Sequence, residues 1–131
     1  MIYGVGIDII SLDKIRSICS KNRILLKDNL FSEEELDDAG IDGEVETLSN
    51  KQTCLLASKF AAKEATIKAI GLPHDTSFNW SDIIVKGKNN VSIETCRNIK
   101  TFIKQIGILS LNGSVSSSSS HSMAIVIGEL L

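Results

Sequence analysis

Apolar and polar positions along this chain change their period several times, and each change marks an element. Residues 1–10, Met-Ile-Tyr-Gly-Val-Gly-Ile-Asp-Ile-Ile, are apolar and β-branched with a single charge. That pattern predicts a buried strand. Ser11 stands where an N-cap is needed for a helix from Leu12 to about Asn22, with Ile15, Ile18 and Cys19 on its apolar face. Phe31-Ser-Glu-Glu-Glu35 fits a capping box, with Ser32 as N-cap and Glu35 three positions on. Gly40 and Gly43 keep the helix it opens short. From about Asn50 to Ile70 the chain is rich in Ala, Leu and Lys, which predicts the longest helix, stopped by Gly71-Leu-Pro73. Phe78 to Lys86 predicts a strand centred on Asp82–Val85, and Gly87–Asn90 a turn. Cys96, Ile99, Ile103 and Ile106 recur at helical spacing and end at Gly107. Ser114–Ser120 and Met123–Leu130 predict a closing pair of strands, although the serine run Ser116–Ser120 reads equally as a strand edge or a loop. No repeat or linker interrupts the sequence. The whole pattern predicts one compact α+β domain over residues 1–131.

Composition narrows the function classes. A length of 131 residues allows one modest core. Lys and Arg number 14 against 16 Asp and Glu, so the molecule as a whole is not a basic nucleic-acid binder. Aromatic residues are 5% of the chain, too few for a base-stacking platform. Cys19, Cys54 and Cys96 are an odd number, far apart and without a CxxC pair. This argues against a disulfide framework or a thiolate zinc site and for a reducing compartment. The first residues lack the basic stretch of a signal peptide, and no apolar run approaches the roughly 20 residues that span a bilayer. The expectation is a soluble, cytoplasmic protein with no membrane and no nucleic-acid partner.

Two places carry candidate chemistry. In the first strand Ile2, Gly4, Gly6, Asp8 and Ile10 share one face, so the strand's only charge follows two glycines. A lone carboxylate there is costly unless it is paired or binds a metal. The glycines leave room for a ligand or another backbone. Alternatively, Asp8 ends the strand and caps the next helix. On the long helix Ala61, Glu64, Ala65 and Lys68 form one stripe, small residues around a carboxylate and an ammonium. That stripe could admit a close partner, or Glu64 and Lys68 could be a solvated i,i+4 pair. Gly4-Val-Gly6 lacks the third glycine of a dinucleotide fingerprint, since Ile9 stands there, and no P-loop exists. His74 and His121 support no Ser-His-Asp arrangement, and Cys54 reads as packed.

Together, residues 1–10 and the segment Lys59-Phe-Ala-Ala-Lys-Glu64-Ala-Thr-Ile-Lys68-Ala-Ile-Gly71 resemble the holo-acyl carrier protein synthases. These are the small 4′-phosphopantetheinyl transferases. The length, the spacing of the two segments, the strand near Ser77–Val85 and the strand start at Val115-Ser116 agree as well, so the resemblance covers most of the chain. It implies a small antiparallel sheet packed on one long helix plus shorter helices. It also implies transfer of the phosphopantetheine arm of coenzyme A to a serine of apo-acyl carrier protein in fatty acid biosynthesis, releasing adenosine 3′,5′-bisphosphate. The family's strand Asp and helix Glu hold a magnesium ion on the pyrophosphate, and those positions are Asp8 and Glu64 here. Oxygen ligands, few carboxylates and substrate phosphates suit that ion. Lys68 matches a catalytic lysine that stabilises phosphate charge. Lys51 and Lys59 match basic residues for the coenzyme A phosphates, and Ser116 matches a strand serine near the ligand. The first helix docks the acidic helix of the carrier protein in this family, which assigns Lys14, Arg16, Lys21 and Arg23 to the partner within a basic segment reaching Lys27. The family is typically a homotrimer with active sites between subunits.

The chain departs from the family in places. Lys14 stands where arginine is usual, keeping the charge without the bidentate fork. Gly87-Lys-Asn-Asn90 replaces a common Gly-Lys-Pro turn, and the segment from Ser120-His121 to the last strand is short. His121 accordingly receives no catalytic role. The competing reading is a non-catalytic paralogue that binds coenzyme A or a carrier protein. General nucleotide phosphotransfer is a third, with no motif behind it. Net charge also hides a separation. Lys14–Lys27 is basic, whereas residues 33–46 hold acids and no Lys or Arg.

Overall fold

A computed structural model of the chain describes residues 1–21, 30–41 and 47–131, with Ser20 and Lys21 as backbone only. Asn22, Arg23, Lys27, Gly43, Glu44 and Glu46, which the sequence reading used, lie outside the described residues. The elements run β1 (Ile2–Ser11), α1 (Leu12–Lys21), α2 (Glu33–Asp38), α3 (Asn50–Ile70), a 3-10 turn (Trp80–Asp82), β2 (Ile83–Lys86), β3 (Asn90–Thr95), α4 (Arg97–Ile106), β4 (Ser110–Ser117) and β5 (His121–Glu129). Among the described residues the five strands form one antiparallel sheet in the order β1-β5-β4-β3-β2. α3 lies across its inner face. This is the α+β architecture expected, a small antiparallel sheet on one long helix.

The core gathers Leu56, Phe60 and Ile70 of α3, Ile10 of β1, Leu12 and Ile15 of α1, Ile83 and Val85 of β2, and Val126 of β5. α3 is buried around most of its circumference, which explains why Ala recurs along it. A central helix needs small side chains where its backbone must approach a sheet closely. Ser49 and Gln52 form a capping box at its start, and Gly71 ends it in the left-handed region at φ 64, where a side chain would be strained. The Ser32–Glu35 box and the Ser11 cap are present as predicted, with Lys14 N–H donating to Ser11 Oγ at 3.2 Å.

β1 differs from the predicted buried strand, because only one face is covered. Gly6 and Ile10 are buried, whereas Tyr3, Val5, Ile7 and Ile9 are exposed. The glycines serve the second purpose considered for them, close approach of a backbone. A Cβ on Gly6 would lie 1.8 Å from the carbonyl oxygen of Ala65, and one on Gly4 2.2 Å from that of Ala69. The alanine stripe of α3 therefore faces β1 of the same chain, and Ala61 and Ala65 are fully buried there. It is not a surface for a second subunit.

Two boundaries move, and one strand is unanticipated. The strand expected from Phe78 begins only at Ile83. Asp82 folds the preceding segment into a turn, its N–H donating to Asn79 O at 2.9 Å, while Phe78 and Phe60 pack on Trp80. β3 occupies Asn90–Thr95, a run with alternating burial that the turn residues Asn89 and Asn90 disguised. β4 starts at Ser110, and the serine run splits: Ser116 and Ser117 end β4, while Ser118–Ser120 make the hairpin turn, closed by Ser118 N–H donating to His121 O at 2.8 Å. The cysteines are free thiols. Cys19 is buried, and burial pushes its thiol up to about 11.

Candidate active site

β1 and α3 run in opposite senses where they touch. Gly4 meets Ala69 and Gly6 meets Ala65. The next inward residue of β1 is Asp8, which the same progression sets level with Ala61 and Glu64. Asp8 is thereby carried into the crossing, where Glu64 and Lys68 converge on it. Lys68 Nζ donates to Asp8 Oδ1 at 3.0 Å and to the Ile7 carbonyl at 3.0 Å. Its side chain remains 55% exposed, so it is tethered at the mouth of the site rather than sealed in it. Asp8 Oδ2 is buried, and with Glu64 ionised it has no hydrogen-bond partner.

Glu64 shares this environment. Its carboxyl is pushed up to about 7, first by burial and then by the hydrogen bond and negative charge of Asp8; Lys14 and Lys68 pull the other way. Two carboxyl groups thus compete for too little compensating charge. No cluster of three or more His, Cys, Asp or Glu exists among the described residues, so the protein offers a two-carboxylate set. An orphaned buried oxygen beside a second carboxyl is what a hard dication would satisfy. Magnesium typically takes one or two carboxylates and completes its shell with water and substrate phosphate. The residues present fit that ion.

The family model described as the 4′-phosphopantetheinyl transferase superfamily matches residues 4–126. The chain belongs to the 4′-phosphopantetheinyl transferase superfamily. A relative named holo-[acyl-carrier-protein] synthase from Halalkalibacterium halodurans is 31% identical over 137 residues, covering 100% of this chain and 98% of that protein. One of the same name from Exiguobacterium sibiricum is 36% identical over 86 residues, which is 65% of this chain and 62% of that protein. A holo-(acyl-carrier-protein) synthase from Bacillus anthracis, solved in complex with CoA (3′,5′-ADP), superposes with a TM-score of 0.72 at 28% identity, covering 100% of this chain and 99% of that one.

The structure of this transferase brings some of the expected residues together and separates others. Asp8, Glu64 and Lys68 meet. Lys14, expected to touch a partner, lies close enough to Glu64 to lower its pKa. Lys59 is on the same helix as Lys68 but some 13 Å along it, at about 1.5 Å per residue. It is buried, donates to Val85 O at 3.0 Å and stands 3.5 Å from Asp38. Lys59 lines a small cleft with Leu55, Ser58, Gly87, Lys88 and Val115, walled by Val85 and Val91. Lys51 is exposed near the start of α3. Arg16 binds Asp13 at 3.1 Å and Asn50 at 2.9 Å, tying α1 to α3. Lys21 is described as backbone only and Arg23 not at all.

Ser116 pairs with Met123 and is exposed on the outer face of the sheet, opposite Asp8. The serine that faces α3 is Ser117, within 3.0 Å of Ser58 and 2.6 Å of buried Ser122. A one-residue shift in strand register separates the two readings. His121 is exposed at the hairpin, its Nδ1 2.9 Å from Ser120 Oγ. Sequence reasoning missed one buried charge pair: Lys63 Nζ lies 2.7 Å from Glu35 Oε1, and neither side chain has any exposure. Burial lowers the pKa of Lys63 against the opposing pull of Glu35. The signal was available: a lysine bordered by Phe60, Ala61 and Ala62 in a helix with little exposed surface.

Proposed function

We propose that this chain is a magnesium-assisted holo-[acyl-carrier-protein] synthase working at Asp8, Glu64 and Lys68. It transfers the 4′-phosphopantetheine arm of coenzyme A to a serine of apo-acyl carrier protein and releases adenosine 3′,5′-bisphosphate. The serine oxygen forms a bond to the pyrophosphate phosphorus nearer the pantetheine as its proton passes to a water or a carboxylate of the site, and the bond to the bridging oxygen breaks, that oxygen leaving on the adenosine 3′,5′-bisphosphate. The observation that supports the site most is the buried Asp8 Oδ2, left without a partner once Glu64 is ionised, beside a Glu64 held up to about 7. Magnesium, when bound, neutralises pyrophosphate charge and polarises the attacked phosphorus. Asp8 and Glu64 supply its protein ligands and fix where the pyrophosphate lies. Lys68, exposed and anchored at 3.0 Å from Asp8, swings onto the phosphate oxygens and stabilises the charge that grows on the leaving group. Positioning and electrostatics of this kind account for most of phosphoryl-transfer catalysis.

The cleft beside Lys59, with Lys88 at its rim, takes part of coenzyme A, and the basic α1 with Lys14 meets the acidic carrier. Tyr3, Val5, Ile7, Ile9, Met123 and Ile125 form an exposed apolar outer face on β1 and β5. Such a patch calls for a partner, and we assign it to subunit contacts in a homotrimer. Free thiols and the use of coenzyme A suit the cytoplasm. No described helix is long and apolar enough to cross a membrane.

The deciding assay incubates the protein with coenzyme A, Mg²⁺ and several apo-carrier proteins and weighs the carrier by mass spectrometry. The carrier gains one phosphopantetheine arm with Mg²⁺ and none with EDTA. No gain with any carrier would leave the non-catalytic binding reading standing. Gain undiminished by EDTA would remove the metal from the scheme.

A further inference from the structure

The buried Glu35–Lys63 pair is used by no step above, yet its hydrogen bonds converge from four parts of the chain. Glu35 Oε1 accepts from Ser32 N–H at 3.0 Å and from Lys63 Nζ at 2.7 Å, and Oε2 accepts from Val85 N–H at 3.1 Å. Lys63 places its other two donors on the carbonyls of Leu30 at 2.8 Å and Trp80 at 2.9 Å. Four residues earlier, Lys59 donates to the Val85 carbonyl at 3.0 Å. Val85 therefore has both backbone polar groups held by side chains, its N–H by Glu35 and its C=O by Lys59. This suits its place, because among the described residues β2 is the edge strand and has no strand beyond it.

A buried ion pair is weak evidence for stability, since an apolar replacement of equal volume is often as stable. What this pair supplies is position. Val85 walls the cleft that Lys59, Gly87 and Lys88 line. Removing Glu35 frees Val85 N–H and deprives Lys63 of its counter-charge, and the edge strand then keeps the Lys59 hydrogen bond and the packing of Ile83 and Val85 but loses its tie to α2. We propose that Glu35, acting through Val85 and Lys63, is a positioning residue for coenzyme A, setting the wall of the cleft against α3. It touches neither the substrate nor the Asp8–Glu64 pair.

This inference rests on the reading of the cleft as a coenzyme A site, and the test separates the two. Glu35→Gln and the double variant Glu35→Leu/Lys63→Met, which removes both buried charges together, are measured in the full chain at a temperature where circular dichroism shows them folded. The expected result is a KM for coenzyme A raised about tenfold, the scale typical of supporting partners around a site. The kcat and the KM for the carrier stay within about twofold. Leu55→Trp, which fills the cleft directly, raises the KM for coenzyme A as well. If Leu55→Trp raises it and both Glu35 variants leave it unchanged, Glu35 is only structural and the inference falls. If none of the three changes it, the cleft does not hold coenzyme A and the reading beneath the inference falls with it. Glu35→Gln keeps the side-chain volume and carries the test should the double variant not fold. A melting temperature lowered with KM unchanged counts against the proposal in either variant.

Discussion

Gly6→Ala is the smallest change that tests how the fold makes the site. The added Cβ would sit 1.8 Å from Ala65 O, 2.8 Å from its carbonyl carbon and 2.8 Å from Ala69 N. All of these are helix backbone, which no rotamer change can move aside. Ordinary contact needs about 3.4 Å, so α3 and β1 must separate by about 1.5 Å at this crossing. Overpacking by one methyl typically costs about 1–3 kcal/mol, and a rigid backbone obstacle sets this case at the top of that range. The separation also opens the gap two residues on, where Asp8 meets Glu64 and Lys68. A misplacement of about 1 Å at a reacting centre costs on the order of 100-fold in rate. Urea unfolding followed by circular dichroism gives the first number, and carrier mass gain under saturating Mg²⁺ gives the second. The expected variant is folded, about 3 kcal/mol less stable and about 100-fold slower. Wild-type stability in Gly6→Ala would refute the packing argument. Lost stability with wild-type turnover of the folded protein would refute the link between the crossing and the site.

The carboxylate pair makes a further prediction in metal-free protein. Folded Glu64 keeps its proton up to about 7, whereas the unfolded chain releases it in the ordinary glutamate range. Between those values the unfolded state binds fewer protons, so stability falls as pH rises from about 4.3 toward 7. The full shift is worth about 3 kcal/mol, which partial exposure of the side chain reduces to about 1–2. Urea midpoints in EDTA at pH 5 and pH 7.5 should therefore converge in Glu64→Gln, and Mg²⁺ should restore the wild type at the higher pH. An equal pH dependence in both proteins removes Glu64 as its source. Asp8→Asn should lower turnover at least 100-fold while leaving the melting temperature within a few degrees, because it also relieves repulsion of Glu64; a larger fall in stability would mean that Asp8 is mainly a structural partner of Lys68. Light scattering should find the proposed trimer in the wild type and a monomer in Ile7→Glu, on the outer sheet face, with circular dichroism unchanged; a monomeric wild type would refute the trimer, and a trimer that survives the substitution would place the subunit contacts elsewhere.

The readable parts of the sequence were those where local chemistry leaves one solution. Ser32 with Glu35 three positions later makes a capping box in any context, and Gly71 after an alanine-rich run ends a helix wherever the helix goes. Tertiary contacts decided the others. Phe78 looks like strand, but its ring and that of Phe60 are drawn to Trp80, and Asp82 turns the backbone before β2 can start. The serine run has no apolar alternation, so nothing in it distinguishes Ser116 from Ser117, and pairing of Ser116 with Met123 sets which one faces α3.

Asp8 shows how a site can be visible before its geometry is. Its two neighbours on the inner face are glycines, and the sequence left open whether their space was for a ligand or a backbone. The structure gives that space to the backbone of α3. The consequence is the opposite of an empty pocket: because Gly4 and Gly6 let the helix come so close, the carboxyls of Asp8 and Glu64 are forced into one poorly solvated place whose negative charge Lys68 and Lys14 offset only in part. Neither carboxyl would be unusual alone. Strain between them, left unresolved by Lys68 and Lys14, is the physical reason that this crossing would bind a dication, and it is produced by two absent side chains.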